Sequence, residues 1–431
     1  MDSIAVVGMQ WGDEGKGKVI DLLSKMAKHI VRAQGGNNAG HTIMDGSREF
    51  KFHLVPSGIL YPNTKCYIGG GVVVNPPSLL QEMEGLRKEQ IHFDHRLFLS
   101  QYAHVIFPYH QRLDLLSEQK KGKGAIGTTG KGIGPCYVDK VRRTGIRVAD
   151  LVDPTLLRAR LEEILPARNE ELEKIYGSEG FDLEKLFSEY VEYGQALKKF
   201  VGPVEEMLFV ASQKREKILF EGAQGALLDV TFGTYPYVTS SCTLAGGTSA
   251  GVGFGPSKID HVIGVAKAYT TRVGHGPFPT ELNAEELAFF PEHTASREIG
   301  TTTGRKRRMG WLDAQILKNT LCWNGVDSLA VMKLDILDGL DEIQICTGYK
   351  LHGKVIDSFP ASLEDLKNVK PLYITLPGWK SSTRDVRTYN DLPSHAKAYL
   401  RKIEELLKLP ISIVSVGPER DRTIWMDRIF E

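Results

Sequence analysis

Ile4-Ala5-Val6-Val7-Gly8-Met9-Gln10-Trp11-Gly12-Asp13-Glu14-Gly15-Lys16-Gly17-Lys18-Val19-Ile20-Asp21-Leu22-Leu23 is the stretch on which the fold turns. Ile4 to Val7 is a short unbroken apolar run, the pattern of a strand buried on both faces. After the glycine-rich segment, Val19 to Leu23 resumes with helical spacing. Strand, glycine-rich loop, helix is the order in which backbone N–H groups and a helix N-terminus cradle phosphates, with lysine adding charge. The spacing departs from the ordinary GxxxxGK[ST] loop: six residues separate Gly8 from Gly15, and Gly17 stands where Ser or Thr normally binds magnesium. Asp13, inside the loop, can take that ligand's place. A plain turn needs neither the lysines nor the acid, so the loop reads as a phosphate site.

Working outward, apolar runs recur at Ile218 to Phe220, Val262 to Val265, Leu329 to Met332 and Ile411 to Val414. Helical spacing lies between them, at Leu156, Leu157, Leu161, Ile164 and Leu165, and again at Ala398, Tyr399, Ile403, Leu406 and Leu407. The alternation predicts an α/β fold, with a mainly parallel central sheet flanked by helices, a phosphate loop like that of P-loop NTPases, and inserted helical and small β segments. With no repeat, low-complexity tract or biased linker, residues 1–431 read as a single domain with insertions. The charged segment from Arg158 to Lys174 reads as a solvated helix pair without chemistry of its own.

The 431 residues are 42% hydrophobic and 25% charged, an ordinary globular composition. Lys and Arg total 54 against 53 Asp and Glu, so the net charge of +1 offers no general attraction to nucleic acid or to an anionic membrane. Phosphate binding must therefore be local. Cys66, Cys136, Cys242, Cys322 and Cys346 are far apart and form no CxxC, which argues against a zinc site and a secreted disulfide framework. No basic patch followed by an apolar run opens the sequence, and a cytoplasmic protein is expected.

A second loop, Gly35-Gly36-Asn37-Asn38-Ala39-Gly40-His41-Thr42, adds amide side chains and a histidine. A lone loop histidine usually satisfies local hydrogen bonds, but beside Asp13 it suits proton abstraction and phosphoryl transfer around magnesium. Lys333-Leu334-Asp335 follows an apolar strand, and an aspartate there can accept hydrogen bonds from guanine N1–H and the N2 amino group, selecting GTP over ATP. Ser415 and Gly417, at another strand end, complete such a base pocket. The run Arg305 to Arg308 follows Thr301-Thr302-Thr303-Gly304 and suits a small dianionic substrate better than a nucleic-acid patch.

Gln10 to Gly17 resembles the glycine-rich signature of the adenylosuccinate synthetase family, and Gly132-Ile133-Gly134-Pro135-Cys136-Tyr137-Val138-Asp139-Lys140-Val141-Arg142-Arg143 is similar to its second signature, G-I-G-P-x-Y-x-x-K-x-x-R. Glu221-Gly222-Ala223-Gln224-Gly225, Thr301 to Arg308, Lys333 to Asp335 and Ser415-Val416-Gly417-Pro418 extend the resemblance over nearly the whole chain; Lys306 departs from the family's usual arginine. The resemblance implies GTP-dependent ligation of L-aspartate to inosine monophosphate (IMP), giving adenylosuccinate, GDP and phosphate through 6-phosphoryl-IMP, the first committed step from IMP to AMP. It implies catalytic roles for Asp13, His41 and Lys140, and one Mg2+ per subunit held by Asp13 and the Gly40 carbonyl. GTP contacts are implied at Gly12, Glu14, Gly15, Lys16, Gly17, Lys18, Gly40, His41, Thr42, Arg307, Lys333, Leu334, Asp335, Ser415, Val416 and Gly417. For IMP they are Asp13, Lys16, Asn38, His41, Thr129, Arg143, Gln224, Thr239 and Arg305, and for aspartate Thr301, Thr302, Thr303, Gly304, Arg305, Lys306 and Arg307. Arg143 is implied to reach the IMP of a neighbouring subunit, hence a homodimer, with no nucleic-acid or membrane partner.

Three other readings compete. A regulatory GTPase shares the phosphate loop and base reader but has no use for the arginine run. A small-molecule kinase would release a stable phosphorylated product without an amine substrate. A nucleotide-binding pseudoenzyme sits poorly with every chemical position being filled.

Overall fold

The computed structural model describes residues 1–45, 48–290, 298, 307–427 and 429–430, apart from the side chains of His41, Met44, Asp45 and Lys123. Among these residues ten strands form one sheet: β1 (Ser3–Gly8), β2 (His29–Arg32), β3 (Lys65–Ile68), β4 (Leu97–Ser100), β5 (Val201–Gly202), β6 (Ile218–Glu221), β7 (His261–Lys267), β8 (Ser328–Met332), β9 (Ile411–Ser415) and β10 (Thr423–Trp425). Their spatial order is β10-β9-β8-β7-β1-β6-β2-β3-β4-β5. Neighbours are parallel except β9 and β10.

Strand β1 is buried at every position, and its side chains part alternately to the two faces. Ile4 and Val6 join a core with Val19, Leu23 and Leu54 on one side, while Ala5 and Val7 join another with Phe220, Val331 and Tyr399 on the other. Covering both faces is what a parallel sheet requires. The five apolar runs read from the sequence become β9, β8, β7, β1 and β6, five adjacent positions. Strand β2, which the sequence pattern did not single out, is interrupted by charge: it carries Arg32, 1% exposed, in register with Glu221 of β6 and 3.6 Å from its carboxylate.

Helix α1 (Lys16–Ser24) leaves the phosphate loop beneath the sheet's centre. Helices α2 (Pro108–Lys121), α3 (Ile133–Arg142) and α4 (Pro154–Tyr176) form a helical insertion on one side. The expected helix pair from Arg158 to Lys174 is instead part of the single helix α4, which continues through Pro166. The Asp153 carboxylate caps its start by accepting from the N–H groups of Thr155 and Leu156, and Gly177, at φ 63°, ends it. The segment is not wholly solvated either, because Leu161, Ile164, Leu165 and Leu172 are buried with Arg168. Arg168 donates to Asp139 of α3 at 2.6 Å, and His110 of α2 lies 3.0 Å from the same carboxylate.

This buried cluster ties three helices together. Replacing Asp139 by alanine leaves the Arg168 charge buried without its inter-helix partner, and a loss of about 3 kcal/mol is expected. Urea unfolding should show a lower midpoint with an unchanged slope; an unshifted midpoint would refute the brace.

Candidate active site

The carboxyl ends of parallel strands leave a crevice where loops diverge, and ligands bind there in open α/β sheets. In this chain the loops after β1, β2, β6, β7, β8 and β9 all line one cavity of about 690 Å³. Five cations (Lys16, Lys18, Arg272, Arg307 and Lys333) face it against Asp13, Asp114 and Asp335. A nearly neutral chain thus concentrates positive charge at one place, as an anionic ligand demands.

The phosphate loop is held from below. Glu14 is fully buried and accepts from the N–H groups of Gln10 and Gly12 at 3.0 and 2.9 Å, while Lys16 donates to it at 2.6 Å. A Cβ on Gly8 or Gly225 would collide with that carboxylate, so both positions need glycine. Gly15, at φ 99°, precedes α1, and Asp13 itself sits at φ 57°, in the left-handed region that favours glycine. Gly12, Asp13, Gly15, Lys16, Gly17 and Lys18 line the cavity, whereas Glu14 lies behind the loop and shapes it.

Opposite, three residues far apart in sequence meet. The Gln224 amide donates to Asn38 at 3.2 Å, and Asn38 donates to Thr239 at 3.3 Å. Thr129, Gly40 and Thr42 line the same cavity, with Gly40 and Thr42 leading into the hairpin His41–Asp45/Arg48–Phe52. At another end of the cavity stand Lys333, Asp335, Ser415 and Gly417. Lys18 reaches them from α1: its ammonium donates to Ser415 Oγ, the Gly417 carbonyl and the Arg422 carbonyl at 2.8, 2.8 and 2.9 Å. Burial above all pushes this lysine down to about 8, against the opposing pull of Asp335.

Between these ends runs a charged chain. Arg307 donates to Asp13 at 2.8 Å and to Glu298 at 2.8 Å, and Glu298 also accepts from Lys267 at 3.1 Å and from Lys333 and Tyr269. Burial opposes ionisation of Glu298, but Lys267, Lys333 and Arg307 outweigh it and hold its carboxyl far below the usual range. Burial, reinforced by Lys333, pushes Lys267 down to about 7 despite Glu298.

Several expected residues stand apart from the cavity. Leu334 and Val416 are buried in the core, Lys140 donates to the Gly70 carbonyl at 3.4 Å, and Arg143 is exposed. The expectations at Thr301, Thr302, Thr303, Gly304, Arg305 and Lys306 lie outside the described residues, as does the His41 side chain. Sequence reading missed Arg272, which lies 4.9 Å from the Trp11 ring and donates to Thr234 at 3.0 Å. The glycine-flanked Val273-Gly274-His275-Gly276 after β7 was the signal for it. Glu298 and Asp114 carried no such signal, being lone acids whose meaning comes from partners distant in sequence.

Fold and cavity together define a nucleotide-handling α/β enzyme of the phosphate-loop class. Within that class the chain belongs to the adenylosuccinate synthetase family, whose family model matches residues 5–424. It is 51% identical over 425 residues to the adenylosuccinate synthetase of Caldanaerobacter subterraneus, covering 98% of this chain and 99% of that protein. With that of Heliobacterium modesticaldum it shares 50% identity over the full length of both. The solved structure of the fully ligated Plasmodium falciparum adenylosuccinate synthetase superposes with a TM-score of 0.93 at 38% identity, covering 99% of this chain and 100% of that one. The succinoaminodeoxyadenylate synthetase of cyanophage S-2L, 20% identical with a TM-score of 0.60, shares the fold. The chain is accordingly a carbon–nitrogen ligase that joins L-aspartate to IMP with GTP as co-substrate, in AMP synthesis.

Lys18 bridges α1 to the loop after β9, the two parts that the sequence leads one to expect around GTP, so its loss should act on GTP. Lys18→Met is expected to raise KM for GTP about tenfold, as for loss of charge-assisted hydrogen bonds, with KM for IMP unchanged. The ammonium, with three donors, is the bonding form, so in the unsubstituted enzyme KM for GTP should climb as pH rises through about 8, and not in the variant. Equal KM values for GTP in both proteins would refute the bridge.

Proposed function

We propose that this cavity performs the ligation in two stages, with Asp13 as the proton acceptor. One observation carries the reading: a single crevice unites the phosphate loop and Asp13 with the Lys333/Asp335/Ser415 end on one side and the Asn38–Gln224–Thr239 cluster on the other. The oxygen at C6 of IMP is a poor leaving group, so an amine cannot displace it until it is activated. Asp13 takes the N1 proton, O6 attacks the γ-phosphorus as the bond to GDP breaks, and 6-phosphoryl-IMP forms. The aspartate amine then attacks C6, and phosphate leaves with the C6–O electron pair. His41 donates a hydrogen bond to the transferring group, and Lys16 and the loop amides balance charge on its oxygens.

Asp335 pairs with guanine, Ser415 and Gly417 close over it, and Arg305 with Thr301 to Thr303 takes the carboxylates of L-aspartate. Arg307 and Glu298 hold Asp13 in place at one end of the charged chain. The donor types suit magnesium: Asp13 and Gly40 line the same cavity, and a carboxylate with a backbone carbonyl is a hard-oxygen pair that leaves room for phosphate oxygens and water. Asp13 and Gly40 would hold one ion per subunit, and the ion supplies charge neutralisation on the phosphoryl oxygens.

The enzyme acts as a homodimer in which Arg143 serves the partner's IMP. In support, Arg143 is exposed at the end of α3, the helix that also exposes Val138 and Val141. Residues 1–431 form one domain, a reading supported by two cores that share one sheet. Residence in the cytoplasm is supported by five unpaired cysteines; among the described residues no helix is long and apolar enough to cross a membrane.

Ultraviolet absorbance of the purine should change only when GTP, IMP, aspartate and magnesium are all present, and Asp13→Ala should abolish the change. Turnover of GTP indifferent to IMP and aspartate would instead favour a regulatory GTPase. For the dimer, Asp13→Ala and Arg143→Leu proteins, each inactive, should on mixing recover about a quarter of normal activity through hybrid dimers that hold one intact site. No recovery would refute a site completed across the interface.

A further inference from the structure

The segment that carries Thr128 and Thr129 into the cavity links α2 to α3, with Gly127, Gly130 and Gly132 at φ 84°, 66° and 75°. Around Gly127 three successive backbone N–H groups turn to one side, making a concavity of the kind that binds anions. Here a protein carboxylate occupies it. Glu118 of α2 accepts from the N–H of Ile126 at 3.3 Å through Oε1, and from those of Gly127 and Thr128 at 2.7 and 3.1 Å through Oε2. One helical turn earlier Asp114 accepts from the N–H of Gly132 at 3.0 Å. Residues four apart share a helix face, so the two acids grip the segment at both ends.

The grip is an electrostatic one. Burial opposes ionisation of Glu118, but the N–H groups of Gly127, Thr128 and Ile126 outweigh it and hold the carboxyl below its ordinary range. Lys121 adds a contact at 3.3 Å. A segment rich in glycine has many other conformations to adopt, and each would carry Thr129 away from Asn38, Gln224 and Thr239. None of the usual signals for a site residue marks Glu118: it lies outside the cavity lining and belongs to neither family signature.

We propose that Glu118, assisted by Asp114, is a positioning residue for IMP: its carboxylate fixes the backbone of residues 126–132 so that Thr129 faces the nucleotide in the cavity. The inference rests on the reading of Thr129 as an IMP contact. Glu118 touches no substrate itself and acts through the segment it holds.

The test is steady-state kinetics on the full-length enzyme with Glu118→Gln, Thr129→Ala and the double variant. Glu118→Gln sets an amide N–H2 against backbone donors, and KM for IMP should rise about tenfold, with KM for GTP and aspartate within about twofold. Because Glu118 acts through Thr129, the double variant should be no worse than the more impaired single one. An unchanged KM for IMP in Glu118→Gln beside a raised one in Thr129→Ala would overturn the proposal and leave the IMP contact standing. A rise in all three KM values together, or strictly additive effects, would also overturn it by reducing Glu118 to a general structural role. If Thr129→Ala leaves KM for IMP unchanged, the contact itself fails, and the proposal with it.

Discussion

A parallel sheet buried on both faces leaves its strands no polar outlet except at their ends, and that constraint places the chemistry of this chain. Six strands deliver loops to the same edge, and the residues they bring together are separated by hundreds of positions in sequence. Asn38, Gln224 and Thr239 hydrogen-bond as neighbours only because β2 and β6 lie side by side. The phosphate loop owes its place to β1 lying between β6 and β7, so that it opens where the connections diverge.

The anion-binding edge is built from behind by anions. Glu14 gathers the N–H groups of the phosphate loop, Glu298 gathers Lys267, Arg307 and Lys333, and Glu118 gathers the amides beside Thr129. Without these carboxylates, close-set cations and converging amide dipoles would repel one another in a low-dielectric setting. The acids keep the donors in place while leaving the cavity face positive. Arg307 links two of these groups, since it touches both Glu298 and Asp13.

How much of this was legible depended on how local the cause was. The central strands were readable because Ile4 to Val7 and its counterparts are uninterrupted apolar runs, and the phosphate loop because its glycines and lysines are contiguous. Strand β2 was hidden because Arg32 looks like a surface residue until Glu221 is set beside it. The segment read as a helix pair is one helix, α4, whose ends are marked by Asp153 and Gly177 and which runs unbroken through Pro166. Asp13, Asp335 and Ser415 were singled out through motif and resemblance, and the fold brings them to one cavity; Glu298 and Arg272 have partners supplied only by the fold.

Lys18 sits two residues beyond Lys16 on the first turn of α1 and fastens to the loop that follows β9. One rigid turn of helix therefore sets the span between the glycine-rich loop after β1 and the loop after β9, like the fixed jaw of a caliper. Under the proposed pairing of Asp335 with guanine, changing Asp335 alone would leave that span untouched. On that proposed reading, the gauge for nucleotide length and the gauge for base identity would be separate parts of one frame.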